Sequence, residues 1–262
     1  MQLSTDKMIG KKDGHIGWMT FNNPKRRNAM SLEMWEAAGQ IMSNFQADPE
    51  IRVVVMQGAG DKAFVSGADI SQFEKQRADA AMTEKYNQRA DAGRSAIRDF
   101  DRPIIAMIRG FCMGGGLGIA MSADLRFAAE GSTFGIPAAR LSIAYTGENI
   151  VNLYNLVGPS RAKDILYSAR RFDEREALSI GLINRVFAPD RLEAETRAYC
   201  DTLADNAPLS IKAHKVILGE LSKKAPDYSK IDAVAEMCFN SADYREGRTA
   251  FMEKRKPVWK SA

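Results

Sequence analysis

Three observations predict an α/β fold. Strand-like apolar runs recur at His15–Phe21, Arg52–Gln57, Ile104–Ile108, Leu125–Ala128 and Ile183–Phe187; helical patterns separate most of them; and strand signals vanish from Asp190 onward. In the first run His15, Gly17, Met19 and Phe21 alternate along one face. The first helix has the clearest signature, because Ser31 can cap it and Met34, Trp35, Ala38, Ile41, Met42 and Phe45 form a single apolar stripe. It is expected to end near Asp48-Pro49. After the run at Ile104–Ile108, a glycine cluster leads into a small-residue helix expected over Leu117 to Ala123. Beyond Asp190, Leu192, Tyr199 and Leu203 share one helical face, Ala207-Pro208 breaks the chain, and Ile211, His214, Leu218 and Leu221 start another stripe. The last third therefore reads as an all-helical appendage.

Composition narrows the function classes. The chain has 262 residues, 45% of them apolar and 27% charged, which suits one large domain or a core with a smaller appendage. Its three cysteines, Cys112, Cys200 and Cys238, show neither metal-ligand spacing nor a disulfide framework, and point to a reducing, cytoplasmic setting. No signal peptide or membrane span is expected, since Met1 to Gly14 is polar and the most apolar window, Ile104 to Met121, is interrupted by Arg109 and glycines. The net charge of +4 is concentrated in Arg245 to Lys260. Such a tail suits phosphate groups or an acidic partner, or is simply a solvated helix face. Nothing in the sequence resembles a nucleic-acid motif.

The chemistry concentrates in two turns. Gly114-Gly115-Gly116-Leu117-Gly118 follows the strand-like run ending at Ile108 and precedes a helix, so backbone N–H groups are exposed where negative charge is stabilised. Taken alone, the glycines equally suit close packing of strand and helix. Phe64-Val65-Ser66-Gly67-Ala68-Asp69-Ile70 places a second glycine beside a small residue after another strand. Two donors from two such turns can form an oxyanion hole. A nucleoside-triphosphate or dinucleotide site is disfavoured, because no Lys-Ser/Thr follows the run and the glycine spacing differs from the dinucleotide fingerprint. His15 and His214 are read as structural, and neither a Ser-His-Asp or Cys-His arrangement nor a metal site can be assembled.

Eight ordered blocks of this sequence resemble the crotonase (enoyl-CoA hydratase/isomerase) superfamily. They are Asn28-Ala29-Met30-Ser31, Ala63 to Ile70, Gly114-Gly115-Gly116, Ala123-Asp124-Leu125-Arg126, Phe134-Gly135-Ile136-Pro137, Gly158-Pro159-Ser160-Arg161-Ala162, Glu176 to Ile183, and Arg245-Glu246-Gly247 leading to Lys256. The resemblance implies a spiral of ββα units over residues 1–200 that binds acyl-CoA, a helical trimerisation region over 201–262, and a homotrimer or a homohexamer built as a dimer of trimers. It implies no cofactor beyond the CoA moiety of the substrate. Carried over by motif position, the backbone N–H groups of Ala68 and Gly115 would receive the thioester oxygen. Lys25, Arg26 and Arg27 would line the nucleotide, and Ser66, Ala68, Asp69 and Ile70 the adenine and pantetheine. Phe251 and Lys254 match positions that reach the nucleotide end, in many members from a neighbouring subunit; for Phe251, helix packing is the alternative.

The chain departs from the family at its acids. Hydratases of this family use two glutamates, and the matching positions here are Gly118 and Ala138. The slot where other branches carry an acidic residue is Thr146. Tyr145, Glu148 and Arg140 remain nearby. Leu141 to Tyr145 is similar to a decarboxylase branch acting on methylmalonyl-CoA, in which a tyrosine stands at this place, although that branch has histidine where this chain has Ala68. Tyr145 is either a hydrogen-bond or proton donor to substrate or a structural residue. Glu148 is either an acyl-pocket acid or an exposed carboxylate on a helix start. The expected function is an acyl-CoA enzyme of this family with doubtful two-glutamate hydration; the alternatives are a decarboxylase-like enzyme using Tyr145 or a catalytically weak acyl-CoA-binding protein.

Overall fold

A computed structural model describes residues 3–69, 80–145 and 147–261. Among them, ten strands form two sheets. The larger holds β1 (Met8–Asp13), β2 (Ile16–Phe21), β3 (Val53–Gly58), β5 (Ile104–Ile108), β7 (Leu125–Ala129) and β10 (Arg185–Phe187), in the order β1-β2-β3-β5-β7-β10. Only the β1–β2 pair in it is antiparallel. The smaller sheet holds β4 (Ala63–Val65), β6 (Phe111–Met113), β8 (Thr133–Gly135) and β9 (Arg171–Asp173), in that order.

The chain alternates between the sheets, which makes the spiral. Strand β3 lies in the large sheet and β4 in the small one, followed by helix α2 (Ala80–Arg98). The same step repeats with β5, β6 and α3 (Gly115–Ser122), then with β7, β8 and α4 (Gly147–Ser168). Parallel pairing of β4 with β6 and of β6 with β8 stacks the turns, with one register shift in β4 between Ala63 and Val65. The ββα spiral expected from the motifs is therefore the architecture of the core.

Local chemistry explains the elements. Helix α1 (Leu32–Ala47) starts where the Ser31 hydroxyl accepts from the Met34 amide, and its stripe from Met34 to Phe45 is buried. Its Met34 and Ile41 join fully buried Met19, Phe21, Phe64 and Phe134 in one core. A second cluster, with Trp18, Val55, Met107 and Phe127, lies under helix α6 (Leu192–Asp205) on the other face of the large sheet. The block Ala123 to Arg126 is explained by two side chains. Asp124 accepts from the Ile104 amide at 2.7 Å and from Lys215 at 2.9 Å, while buried Arg126 donates to the Leu182 and Ala123 carbonyls at 2.7 Å each.

Four differences from the sequence expectation stand out. Helix α3 begins at Gly115 rather than Leu117, because Gly114 holds φ 51° and ψ −120° and turns the chain directly into the helix. Strand β1 arises within the polar stretch Met1 to Gly14, pairing with β2 so that only Met8 is buried. The position 200/201 falls inside α6, and Cys200 is fully buried in the cluster under that helix. Helix α7 (Pro208–Leu221) does not bury its expected stripe: His214, Leu218 and Leu221 are exposed, and Ala213 and Glu220 are its buried residues. Helix α5 (Glu174–Ser179) follows β9, and helices α8 (Tyr228–Asn240) and α9 (Ala242–Glu253) complete the C-terminal region.

Candidate functional site

Asn28 organises the first side of the site. It is fully buried with φ 56°, its side-chain amide donates to the Ala59 and Ala63 carbonyls at 3.1 and 2.7 Å, and its side-chain oxygen accepts from the Asn23 amide at 3.0 Å. This ties the 3-10 turn Pro24–Arg26 to the end of β3 and to β4. The Ser66 amide then donates to the Arg27 carbonyl at 3.1 Å and its hydroxyl to the Arg26 carbonyl at 3.3 Å, while Arg26 stands 4.0 Å from Asp69. Lys25, Arg26, Arg27, Ser66 and Asp69 thus come together on two stitched loops. Arg27 and Arg171 both stack on the Phe111 ring, at 5.1 and 5.6 Å. Ile70, named with this group, lies outside the described residues, as does Thr146.

The two turns meet at Ala68 and Gly115. The Met30 amide donates to the Gly67 carbonyl at 2.8 Å and the Asp69 amide to the Met30 carbonyl at 2.9 Å. Because the bonds of this bridge fall on residues 67 and 69, the Ala68 N–H points away from Met30. Gly115 occupies the first position of α3, where an N–H has no intrahelical acceptor. A methyl built on Gly115 would lie 3.8 Å from the Ala68 nitrogen, and one built on Gly67 3.9 Å from the Gly115 nitrogen. Among the described residues neither amide has an acceptor, Ala68 is partly exposed and Gly115 is exposed. Two backbone donors therefore sit side by side on residues that are not buried.

Gly118 borders this pair from within α3. A Cβ there would stand 3.0 Å from the Tyr145 hydroxyl and 2.9 Å from Asn149 Oδ1, so those side chains occupy the place a longer residue would need. The Tyr145 hydroxyl donates to the Gly114 carbonyl at 2.9 Å. Burial pushes the phenol well above its ordinary pKa, so it stays protonated. Asn149 was not foreseen; an asparagine in the first turn of a helix carries no signal of its own in a sequence. Ala138 lies partly buried in the 3-10 turn Pro137–Leu141 and Arg140 is exposed there. Glu148, in the first turn of α4, is exposed and lies 3.4 Å from Arg98, which places its carboxylate in a surface ion pair.

Phe251 and Lys254 lie at the end of α9, away from this cluster in hydrogen bonding. Phe251 is 83% exposed, and Lys254 closes the helix with φ 52°. Two cations of the basic tail around them are paired: Arg255 binds Glu246 at 2.6 Å, and Lys256 stands 3.4 Å from Asp205. A cavity of about 220 Å³ lined by Thr20, Gln57, Arg109 and Glu193 shares no residue with the paired amides. Among the described residues no cluster of His, Cys, Asp and Glu has the make-up of a metal site, and no helix is long and apolar enough to cross a membrane.

Comparison with known proteins agrees with the fold. A short-chain-enoyl-CoA hydratase from Clostridium acetobutylicum is 31% identical over 257 residues, covering 97% of both chains. A carnitinyl-CoA dehydratase from Citrobacter koseri is 33% identical over 255 residues, covering 95% of this chain and 96% of the relative. Among solved structures, an enoyl-CoA hydratase/carnithine racemase from Magnetospirillum magneticum superposes with a TM-score of 0.93 at 34% identity, covering 99% of this chain and 97% of that one. The sequence model of the enoyl-CoA hydratase/isomerase family matches residues 11–262, and the chain belongs to that family.

Proposed function

We propose that the protein binds acyl-CoA thioesters and stabilises an enolate-like oxyanion with the backbone N–H groups of Ala68 and Gly115. One observation carries the reading: two amides from separate turns lie side by side, on residues that are not buried and without protein acceptors among the described residues. Donors fixed in this way act on charge as it develops, and removing one typically costs about 3–4 kcal/mol of barrier. The loops of Lys25 to Arg27 and Ser66 to Asp69 supply cations and polar groups for the nucleotide and pantetheine. No cofactor beyond CoA is required. The unpaired cysteines suit a reducing, cytoplasmic setting.

Proton transfer sets this chain apart within the family. Gly118 and Ala138 offer no acid or base, so a water held between two carboxylates has no counterpart here. Glu148 remains a candidate acid only if it leaves Arg98. Decarboxylation through Tyr145 would require its hydroxyl to leave the Gly114 carbonyl. The filled space beside Gly118 also supports a second reading, a protein that binds acyl-CoA with weak turnover.

Crotonyl-CoA separates these readings. The protein is expected to bind it, while hydration, followed as loss of the conjugated thioester absorbance, should fall at least about a hundredfold short of an ordinary hydratase. Turnover equal to such an enzyme would overturn the argument from Gly118 and Ala138. Failure to bind any acyl-CoA would overturn the site itself.

The assembly is part of the proposal. Leu218, Phe239, Phe251 and Met252 are 64–83% exposed in the isolated chain, which supports a trimer or hexamer formed through the C-terminal helices. Phe251 and Lys254 would then reach the nucleotide of a CoA held by a neighbouring copy.

A further inference from the structure

Tyr145 donates to the carbonyl of Gly114, and that carbonyl belongs to the same peptide group as the Gly115 N–H. The peptide is trans, so its oxygen and its hydrogen point from opposite edges. A donor on the oxygen edge draws electron density from the amide and makes the N–H on the other edge a stronger donor, without competing for its acceptor. We propose that Tyr145 is a positioning residue: by holding the Gly114 carbonyl, its phenol fixes and polarises the Gly115 amide that receives the thioester oxygen. The inference rests on the oxyanion reading above and gives Tyr145 a role in it other than proton transfer.

Four features support it. The Gly114 carbonyl also accepts from the Gly118 amide at 3.1 Å, as in any helix, so the phenol is an additional donor. The Gly114 amide, in the preceding peptide, donates to the Gly135 carbonyl at 2.8 Å, which anchors the turn that carries the Gly114–Gly115 peptide. The phenol lies against residue 118, where a Cβ would stand 3.0 Å from the hydroxyl oxygen, so a longer side chain there would crowd it. The position that matches a carboxylate of the family's hydratases is therefore the one beside the phenol. Burial keeps the hydroxyl protonated, and so a donor, throughout the neutral range.

Acetoacetyl-CoA tests the idea, because its enolate absorbs in the near ultraviolet and its ionisation on the protein reports how well the oxyanion is held. The intact protein should lower the apparent pKa of the bound ligand. Tyr145→Phe should reduce the ionisation constant of the bound ligand by about threefold, the size expected when one polarising bond to a charge-binding donor is lost. Affinity for CoA alone should stay unchanged. A ring-fluorinated tyrosine at position 145, a stronger donor of nearly the same shape, should shift the ionisation the other way, which a purely space-filling role would not do. If the intact protein binds acetoacetyl-CoA without favouring the enolate, the oxyanion reading falls and this proposal with it. If the enolate is favoured but neither replacement changes its ionisation, the oxyanion reading stands and the proposal is overturned. Should Tyr145→Phe fail to fold, the fluorinated protein decides alone.

Discussion

A methyl group added at Gly116 would sit 2.0 Å from the Val65 carbonyl oxygen, one added at Gly114 would face a backbone of φ 51° and ψ −120°, and one added at Gly115 would meet nothing closer than 3.8 Å. The three neighbours are glycine for different reasons. Gly116 lets α3 pack on β4, Gly114 turns the chain, and Gly115 leaves room above its own amide. Alanine at 114 or 116 should therefore lower the melting temperature, by about 1–3 kcal/mol of stability through backbone strain or overpacking. Alanine at 115 should fold with nearly unchanged melting, yet its methyl would intrude between the two amides and weaken the enolate signal of bound acetoacetyl-CoA, roughly a hundredfold if the donor is blocked. A destabilised Gly115→Ala with an intact enolate signal would contradict this assignment. The glycine run and the Gly67-Ala68 turn were both legible in the sequence, because glycine clusters at strand exits mark close backbone approach. The partners of Gly118 were not legible, since the meeting of Tyr145 and Asn149 depends on how α4 approaches α3.

Short elements escaped the sequence reading for a physical reason. Strands β4, β6, β8 and β9 have three residues each, too few to express an alternation, and three of them contribute side chains such as Phe64, Phe134 and Phe172 that are buried from both sides. Longer elements with a solvated face, such as α1, were legible to within a residue or two. The helical hairpin α7–α8 shows a third case, in which a charged residue is a structural centre. Glu220 is 2% exposed and accepts from Lys223 and Lys230 at 2.8 Å each and from the Asp227 amide at 3.4 Å. These hydrogen bonds from the lysines hold its pKa at about 2, below the ordinary 4.5. A depressed folded-state pKa contributes stability that is fully present above 4.5 and is lost as pH falls towards about 2. Wild type should therefore exceed Glu220→Gln in melting temperature at neutral pH, and the gap should close across that acid window. A gap independent of pH would show that the carboxylate charge is not what holds the hairpin.

At the scale of the whole molecule, apolar surface remains outside the folded chain in both halves. The spiral buries the stripe of α1 against the large sheet yet leaves Leu141, Val151, Tyr154 and Tyr167 exposed, and α7 to α9 leave Leu218, Phe239, Phe251 and Met252 largely exposed. Helical periodicity alone identified the α7 stripe but not what covers it, because a pattern of apolar residues does not distinguish a partner within the chain from a second copy. A single chain that left this much apolar surface in water would be prone to association, and closed symmetry limits that association to a defined assembly. Sedimentation should accordingly give a trimer or hexamer, and the paired change Leu218→Asp with Phe239→Asp should shift it towards the monomer while the spiral keeps its circular dichroism, since neither side chain belongs to a buried cluster. If Phe251 and Lys254 serve a neighbour's nucleotide, the dissociated protein should also bind acyl-CoA about tenfold more weakly, and Phe251→Ala should weaken binding in the intact assembly without dissociating it. A monomeric variant that binds acyl-CoA as tightly as wild type would place the whole nucleotide site within one chain, on the loops that Asn28 holds together.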